Sequence, residues 1–205
     1  MNRRELREQV YVRTGFDSAD AMVTASVVNA AINDALNYIS LSHDWPWLES
    51  SETLTTAIST NYVTPSETWL RTKSLTNSDG TQMFMISIAD FDLLGAANGQ
   101  PEQYAIFAGK FYIWPTPDSA TTITHRFIRT ESELTDDTSS PILPDSFQPA
   151  STELAASYVL ARVRDEDRSN VARARYLDWE KKMDDNRRRY AQPPRIRVRP
   201  GGWIP

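Results

Sequence analysis

Apolar positions recur at helical spacing at both ends of this chain and lose that period in its middle. Near the N-terminus, Leu6 and Val10 give one buried edge to a short helix that ends at about Thr14. Asn2 followed by Glu5 has the spacing of a reciprocal N-terminal cap, and Gly15 supplies the stop. Val28, Ile32, Ala35 and Ile39 form the stripe of a second helix, with Thr24 as its cap and Ala25 and Ala31 allowing close approach. This helix is expected to stop near His43. Trp45 precedes Pro46, and the residue before a proline is pushed out of the helical region.

From Glu49 to about Thr130, Thr, Ser and aromatic residues dominate, and helical periodicity returns only around Ser87 to Ala97. Trp69–Leu75 and Gln82–Ile86 flank the turn sequence Asn77-Ser78-Asp79-Gly80. Tyr104–Phe107 and Phe111–Trp114 read as a hairpin, because Ala108-Gly109-Lys110 between them includes a residue that takes positive φ readily. Thr122 to Ile128 alternates, with Ile123, His125 and Phe127 on one face.

Glu131 to Ser140 is a polar, acidic link, after which helix returns. Asp145 with Gln148 fits a capping pair, and Phe147, Ala150, Leu154, Tyr158 and Ala161 form a stripe. Val159, Leu160 and Val163 add apolar positions elsewhere, so this helix is expected to be buried on more than one side and to lie centrally. A break at Asp165–Asn170 precedes a last helix to about Tyr190, striped by Ala172, Tyr176, Trp179, Met183 and Tyr190. Trp179 is expected to be buried. Asp178 with Lys182, Asp184 with Arg188 and Asp185 with Arg189 have the favoured acid-before-base spacing. Beyond Gln192, Pro193, Pro194, Pro200, Gly201 and Gly202 exclude helix, while Arg195, Arg197 and Arg199 alternate with Ile196 and Val198.

The implied fold class is α+β. A helical bundle of residues 1–47 and 141–190 would carry a small antiparallel β domain, 48–140, inserted between its halves, and residues 191–205 would form an extended basic tail.

Charge sharpens this picture when it is divided. The chain carries 22 basic and 27 acidic residues, but the stretch from Asn186 holds six Arg and no acid, so residues 1–185 carry 16 against 27, or −11. An acidic body of this kind repels a phosphate backbone and argues against a sequence-specific DNA reader. The basic tail suits an acidic groove or phosphate. Alternation from Arg195 to Arg199 fits an added strand or extended peptide, with Trp203 as an aromatic anchor. No run is apolar enough to span a membrane, and the N-terminal charges are unlike a secretory signal, so residence in a cytoplasm-like compartment is expected.

Chemistry is sparse by comparison. The chain has no cysteine, no Gly-rich phosphate loop and no Gly-x-Ser-x-Gly elbow. Both histidines, His43 and His125, read as structural. The acid clusters Asp136-Asp137, Asp165-Glu166-Asp167 and Asp184-Asp185 read as caps and ion pairs, because none has the ligand spacing of a calcium loop. No cofactor, metal or catalytic residue is expected. Trp45, Trp47, Trp69 and Trp114 leave open a module that binds nucleic acid or carbohydrate on aromatic faces, although core packing accounts for them more simply.

Several landmarks resemble a known family. The run from Tyr104 to Pro117 (Tyr-x-x-Phe-x-Gly-x-Phe-Tyr-Ile-Trp-Pro-Thr-Pro), Arg126-Phe127-Ile128-Arg129, Leu143-Pro144, Leu154-Ala155-Ala156 and the helix leading into Asp44-Trp45-Pro46-Trp47 are similar to head-to-tail adaptor (connector) proteins of tailed double-stranded DNA bacteriophages. The resemblance implies a non-enzymatic virion protein at the capsid portal vertex, in a homo-oligomeric and usually dodecameric ring. Such a ring docks on the portal protein, joins it to stopper or tail proteins, and extends a channel that genomic DNA traverses without sequence-specific binding. Arg195, Ile196, Arg197, Val198, Arg199 and Trp203 would then face the portal. Another neck or minor tail protein is the alternative in the same setting.

Overall fold

The structure is a computed structural model and describes residues 1–191. Its architecture is α+β, with five helices and two sheets among the described residues. The chain divides into two compact units, one of Met1–Trp47 together with the chain from Ser132, the other of Leu48–Glu131.

In the helical unit, α1 (Arg3–Thr14) begins with a complete capping box. The Asn2 side chain accepts from the Glu5 amide and the Glu5 carboxylate accepts from the Asn2 amide. Gly15 closes the helix in the left-handed region at φ 69°. α2 (Ala25–Ser42) is capped by the Thr24 hydroxyl and ends at His43 in extended backbone. The Trp45 indole N–H donates to the Ile39 carbonyl at 2.5 Å and so turns the chain back onto the helix end.

α4 (Gln148–Arg162) packs against α1, α2 and α5 (Glu166–Ala191). Eleven of its fifteen residues are buried, several of them small: Ala150, Ser151, Ala155, Ala156 and Ser157 let neighbouring backbones come near. Its buried hydroxyls are satisfied along the helix, Ser151 by the Gln148 carbonyl and Ser157 by the Leu154 carbonyl. Buried Glu153 accepts from the Arg13 guanidinium of α1 at 2.9 Å.

The start of α4 departs from the expected cap. No side chain caps it; Phe147 occupies the cap position, and Pro149 in the first turn fixes the start. Asp145 and Gln148 instead accept from the N-terminal ammonium, at 3.1 and 2.7 Å, and Gln148 donates to the Leu143 carbonyl. The break before α5 is also shorter than Asp165–Asn170. Arg164 takes φ 63°, and the Asp165 carboxylate accepts from the Arg168 amide, so the residues from Glu166 are already helical.

Residues 132–140, read above with the β insertion, group with the helices. Asp137 is gripped by Arg3 and Arg7 of α1, and Asn33 of α2 accepts from the Leu134 amide. These attachments come from residues about a hundred positions earlier.

In the β unit, β1 (Glu49–Thr55), β7 (Thr122–Arg129) and β3 (Trp69–Asn77) form an antiparallel sheet in the order β1-β7-β3. A second sheet runs β2 (Tyr62–Val63), β6 (Lys110–Trp114), β5 (Gln103–Phe107), β4 (Phe84–Met85). This sheet is mixed rather than antiparallel, since β4 runs parallel to β5. The physical reason is that the chain after the Asn77–Gly80 turn pairs with β3 only as far as Met83, whose amide donates to the Leu75 carbonyl, and then crosses over, with the Phe84 amide donating to Glu102. α3 is a single turn, Ile88–Phe91, capped by Ser87, and is shorter than the periodicity around Ser87–Ala97 suggested. Leu54, Val63, Leu75, Met83, Tyr104, Phe111, Ile113 and Ile123 build the core from both sheets. The β5–β6 hairpin turns on Ala108 and Gly109, both at positive φ.

Candidate interaction surfaces

The residues expected to dock, Arg195, Ile196, Arg197, Val198, Arg199 and Trp203, lie outside the described residues. The structure brings the chain to them along α5, whose inner stripe is narrow: Ala172, Tyr176 and Met183 are buried, while Tyr190 is exposed. Trp179 is half-buried rather than buried, with the Lys182 ammonium 4.1 Å over its ring. Lys182 therefore stacks on Trp179, and Asp178 meets Lys181. Asp184 receives both Arg187 and Arg188, which hold its carboxyl below the usual carboxylate range.

Of the four tryptophans weighed as a ligand platform only Trp45 is fully buried; the other three are half-buried and make ring or backbone contacts within their own units. Trp45 is fully buried and stacks on Trp47 at 4.7 Å, which in turn meets Phe147. Trp69 packs on Phe111 and His125, and the Trp114 N–H donates to the Gly95 carbonyl.

His125 is fully buried between Phe111 and Phe127, at 4.7 and 4.6 Å. Its Nδ1 lies 2.9 Å from Glu52, and a carboxylate only accepts, so Nδ1 carries the proton and Nε2 accepts from the Thr72 hydroxyl at 3.1 Å. Burial pushes the imidazole pKa down more than Glu52 raises it. Burial would push the Glu52 carboxyl up, but bonds from His125, from the Ser66 hydroxyl and amide, and from the Glu67 amide outweigh it and hold the pKa low. The pair ties β1, β7 and the segment before β3 together.

The acid clusters also resolve into local partners: Asp137 with Arg3 and Arg7, Asp165 with Arg168, and Asp184 with its two arginines. Among the described residues no group of three metal-ligating side chains occurs, and no helix is long and apolar enough to cross a membrane.

Reading the sequence by its tryptophans misses one surface. Tyr112 of β6 carries a cluster of rings, Tyr62 at 6.1 Å, Phe91 at 5.9 Å and Phe107 at 6.2 Å, with the Lys110 ammonium 4.4 Å over Tyr62. On β4 and just after α3, Phe84, Met85 and Leu93 are exposed by 71, 64 and 84%. These values are far above what a packed apolar side chain shows, so the three side chains are uncovered among the described residues. A signal was present in the sequence: from Ser74 to Gly109 there is no Lys or Arg, only Asp79, Asp90, Asp92 and Glu102.

Comparison with known families gives one match that spans nearly the whole chain, the model described as SU10 adaptor protein, over residues 1–200. The chain belongs to this family of phage head-to-tail adaptors. No curated protein matches it.

Proposed function

We propose that this SU10-family adaptor is a structural, non-enzymatic component of the virion neck. It docks on the portal protein, joins it to stopper or tail proteins, and as a homo-oligomeric ring, dodecameric in this reading, extends the channel for genomic DNA. The observation that carries the proposal is the family match over residues 1–200. The helices of both chain ends form the bundle of the ring subunit, and the −11 balance of residues 1–185 suits a conduit through which DNA slides without adhering.

Arg195, Ile196, Arg197, Val198, Arg199 and Trp203 are the portal-docking residues in this proposal. Arginines at alternate positions make charge-assisted bonds to portal carboxylates, Ile196 and Val198 cover apolar surface, and Trp203 anchors the end. Ordering such a segment costs conformational entropy that these contacts offset.

The test is co-assembly with the purified portal, imaged by electron microscopy, for the full chain and for a chain lacking Gln192–Pro205. Rings on the portal with the full chain and none with the truncated chain are expected. Equal assembly by both would remove the docking role from these residues, and no assembly by either would remove the adaptor reading.

A further inference from the structure

We infer that the two ends of the mixed sheet are the two halves of one seam between copies of this chain, the β2 end of one copy meeting the β4 end of the next. The ring belongs to the adaptor reading, on which this rests, while both surfaces lie within the unit Leu48–Glu131.

β2 and β4 are the end strands of their sheet, each with a strand neighbour on one side only. Their hydrogen bonds fix which groups are left over. On β4, the amides of Phe84 and Ile86 donate to the Glu102 and Tyr104 carbonyls. Successive peptide groups of a strand face opposite ways, so the N–H and C=O of Met85 between them turn away from β5. On β2, the Ile113 amide donates to the Asn61 carbonyl, and Tyr62 stands opposite Tyr112. The N–H and C=O of Tyr62 therefore turn away from β6. Each end presents one donor and one acceptor from a single residue, the pattern by which one strand adds to another.

The side chains around these groups are opposite in sign. At the β4 end Phe84 and Met85 are exposed. Glu102, whose carbonyl takes the Phe84 amide, and Asp92, just past α3, meet no cation among the described residues. Between Lys73, which Glu49 engages, and Lys110 the sequence holds no basic residue. The β2 end carries that second lysine. Its ammonium lies 4.4 Å over the Tyr62 ring and meets no carboxylate among the described residues, and Tyr62 and Ile58 are exposed beside it. Pairing through Met85 and Tyr62 brings Lys110 of one copy to the carboxylates of the next and sets apolar side chains against apolar side chains. Like ends do not suit each other, since β4 against β4 would oppose carboxylate to carboxylate. A contact between unlike ends repeats from copy to copy, which is what a closed ring requires.

The chain has no cysteine, so introduced thiols are the only ones present. Tyr62→Cys, Met85→Cys, their equimolar mixture and the double variant are assembled on the purified portal, treated with a short bismaleimide and run on a denaturing gel. Electron microscopy of the same samples scores rings. A cross-linked dimer is expected from the mixture, a ladder from the double variant, and only a trace of either from the single variants. Asp92→Lys with Glu102→Lys in the Met85→Cys chain should lower the mixed dimer about tenfold. Lys110→Glu in the Tyr62→Cys chain should restore it, a rescue that a misfolded partner could not give. Rings whose mixture cross-links no better than the single variants, or whose mixed dimer is indifferent to the charge reversal, would overturn the seam and leave the adaptor reading standing. Absence of rings from the parent chain on the portal would remove both.

Discussion

The Arg7 guanidinium lies against the Asp137 carboxylate with both nitrogens engaged, Nη1 to Oδ1 at 2.9 Å and Nη2 to Oδ2 at 3.0 Å. Arg3 adds a second guanidinium to the same carboxylate at 3.0 Å. Hydrogen bonds from Arg7, then Arg3, bring the Asp137 pKa down to about 2 from an ordinary 3.8. The fold therefore favours the ionised form, so the contribution is complete above pH 4 and is lost as pH falls through about 2. Asp137→Asn should lower the melting temperature at pH 7. The gap between variant and parent, followed by differential scanning calorimetry, should close between pH 4 and pH 2; a gap independent of pH would dismiss the ion pair as its cause.

Glu52 and His125 give a second dependence of the same sign. The His125 pKa lies below its ordinary 6.5, so the unfolded chain takes up that proton first on acidification, and stability declines as pH drops from 6.5. Glu52→Ala removes the acceptor for a buried imidazole N–H and frees the Ser66 amide and hydroxyl. A loss of about 1–3 kcal/mol is expected from urea unfolding.

Leu154 is fully buried on the helix that three others cover. Leu154→Ala should cost about 2–5 kcal/mol, because rigid neighbours cannot collapse into the space. A loss under 1 kcal/mol would mean that the helices close around the gap.

Ala108 holds φ 48° at the first position of a two-residue hairpin turn, a region where a Cβ is strained. Ala108→Asn should stabilise the chain by about 0.5–1 kcal/mol, visible as a higher urea midpoint with unchanged slope. Gly15 is the opposite case. At φ 69°, with the Arg168 guanidinium 3.4 Å from where a Cβ would stand, Gly15→Ala should destabilise by about 1–2 kcal/mol.

What the sequence disclosed follows from how local each cause is. The caps of α1 and α2 are settled within four residues, and Asn2, Glu5, Gly15 and Thr24 could be read directly. The β5–β6 hairpin is settled within a dozen. Asp145 and Gln148 also had a capping spacing, yet they are taken by an ammonium at the far end of the chain, which no local pattern reveals. Likewise β4 leaves β3 for β5 because of pairing energies across about twenty residues, and the link around Asp137 joins the helices through arginines more than a hundred positions away. The exposed rim at Phe84 and Leu93 was hidden because apolar residues in a strand-like stretch are normally assigned to a core, and only the structure shows which of them remain uncovered.

The central position of α4 has a consequence for biosynthesis. α1 and α2 leave the ribosome early, but the helix that covers their apolar sides is complete only at Arg162, 120 residues after Ser42. At about 5–20 residues per second, that is a delay of roughly 6–24 s, during which these two amphipathic helices have only each other to pack on. The β unit, contiguous in the chain, is finished within that interval. Translation thus delivers the whole β unit before α4 can reach α1 and α2.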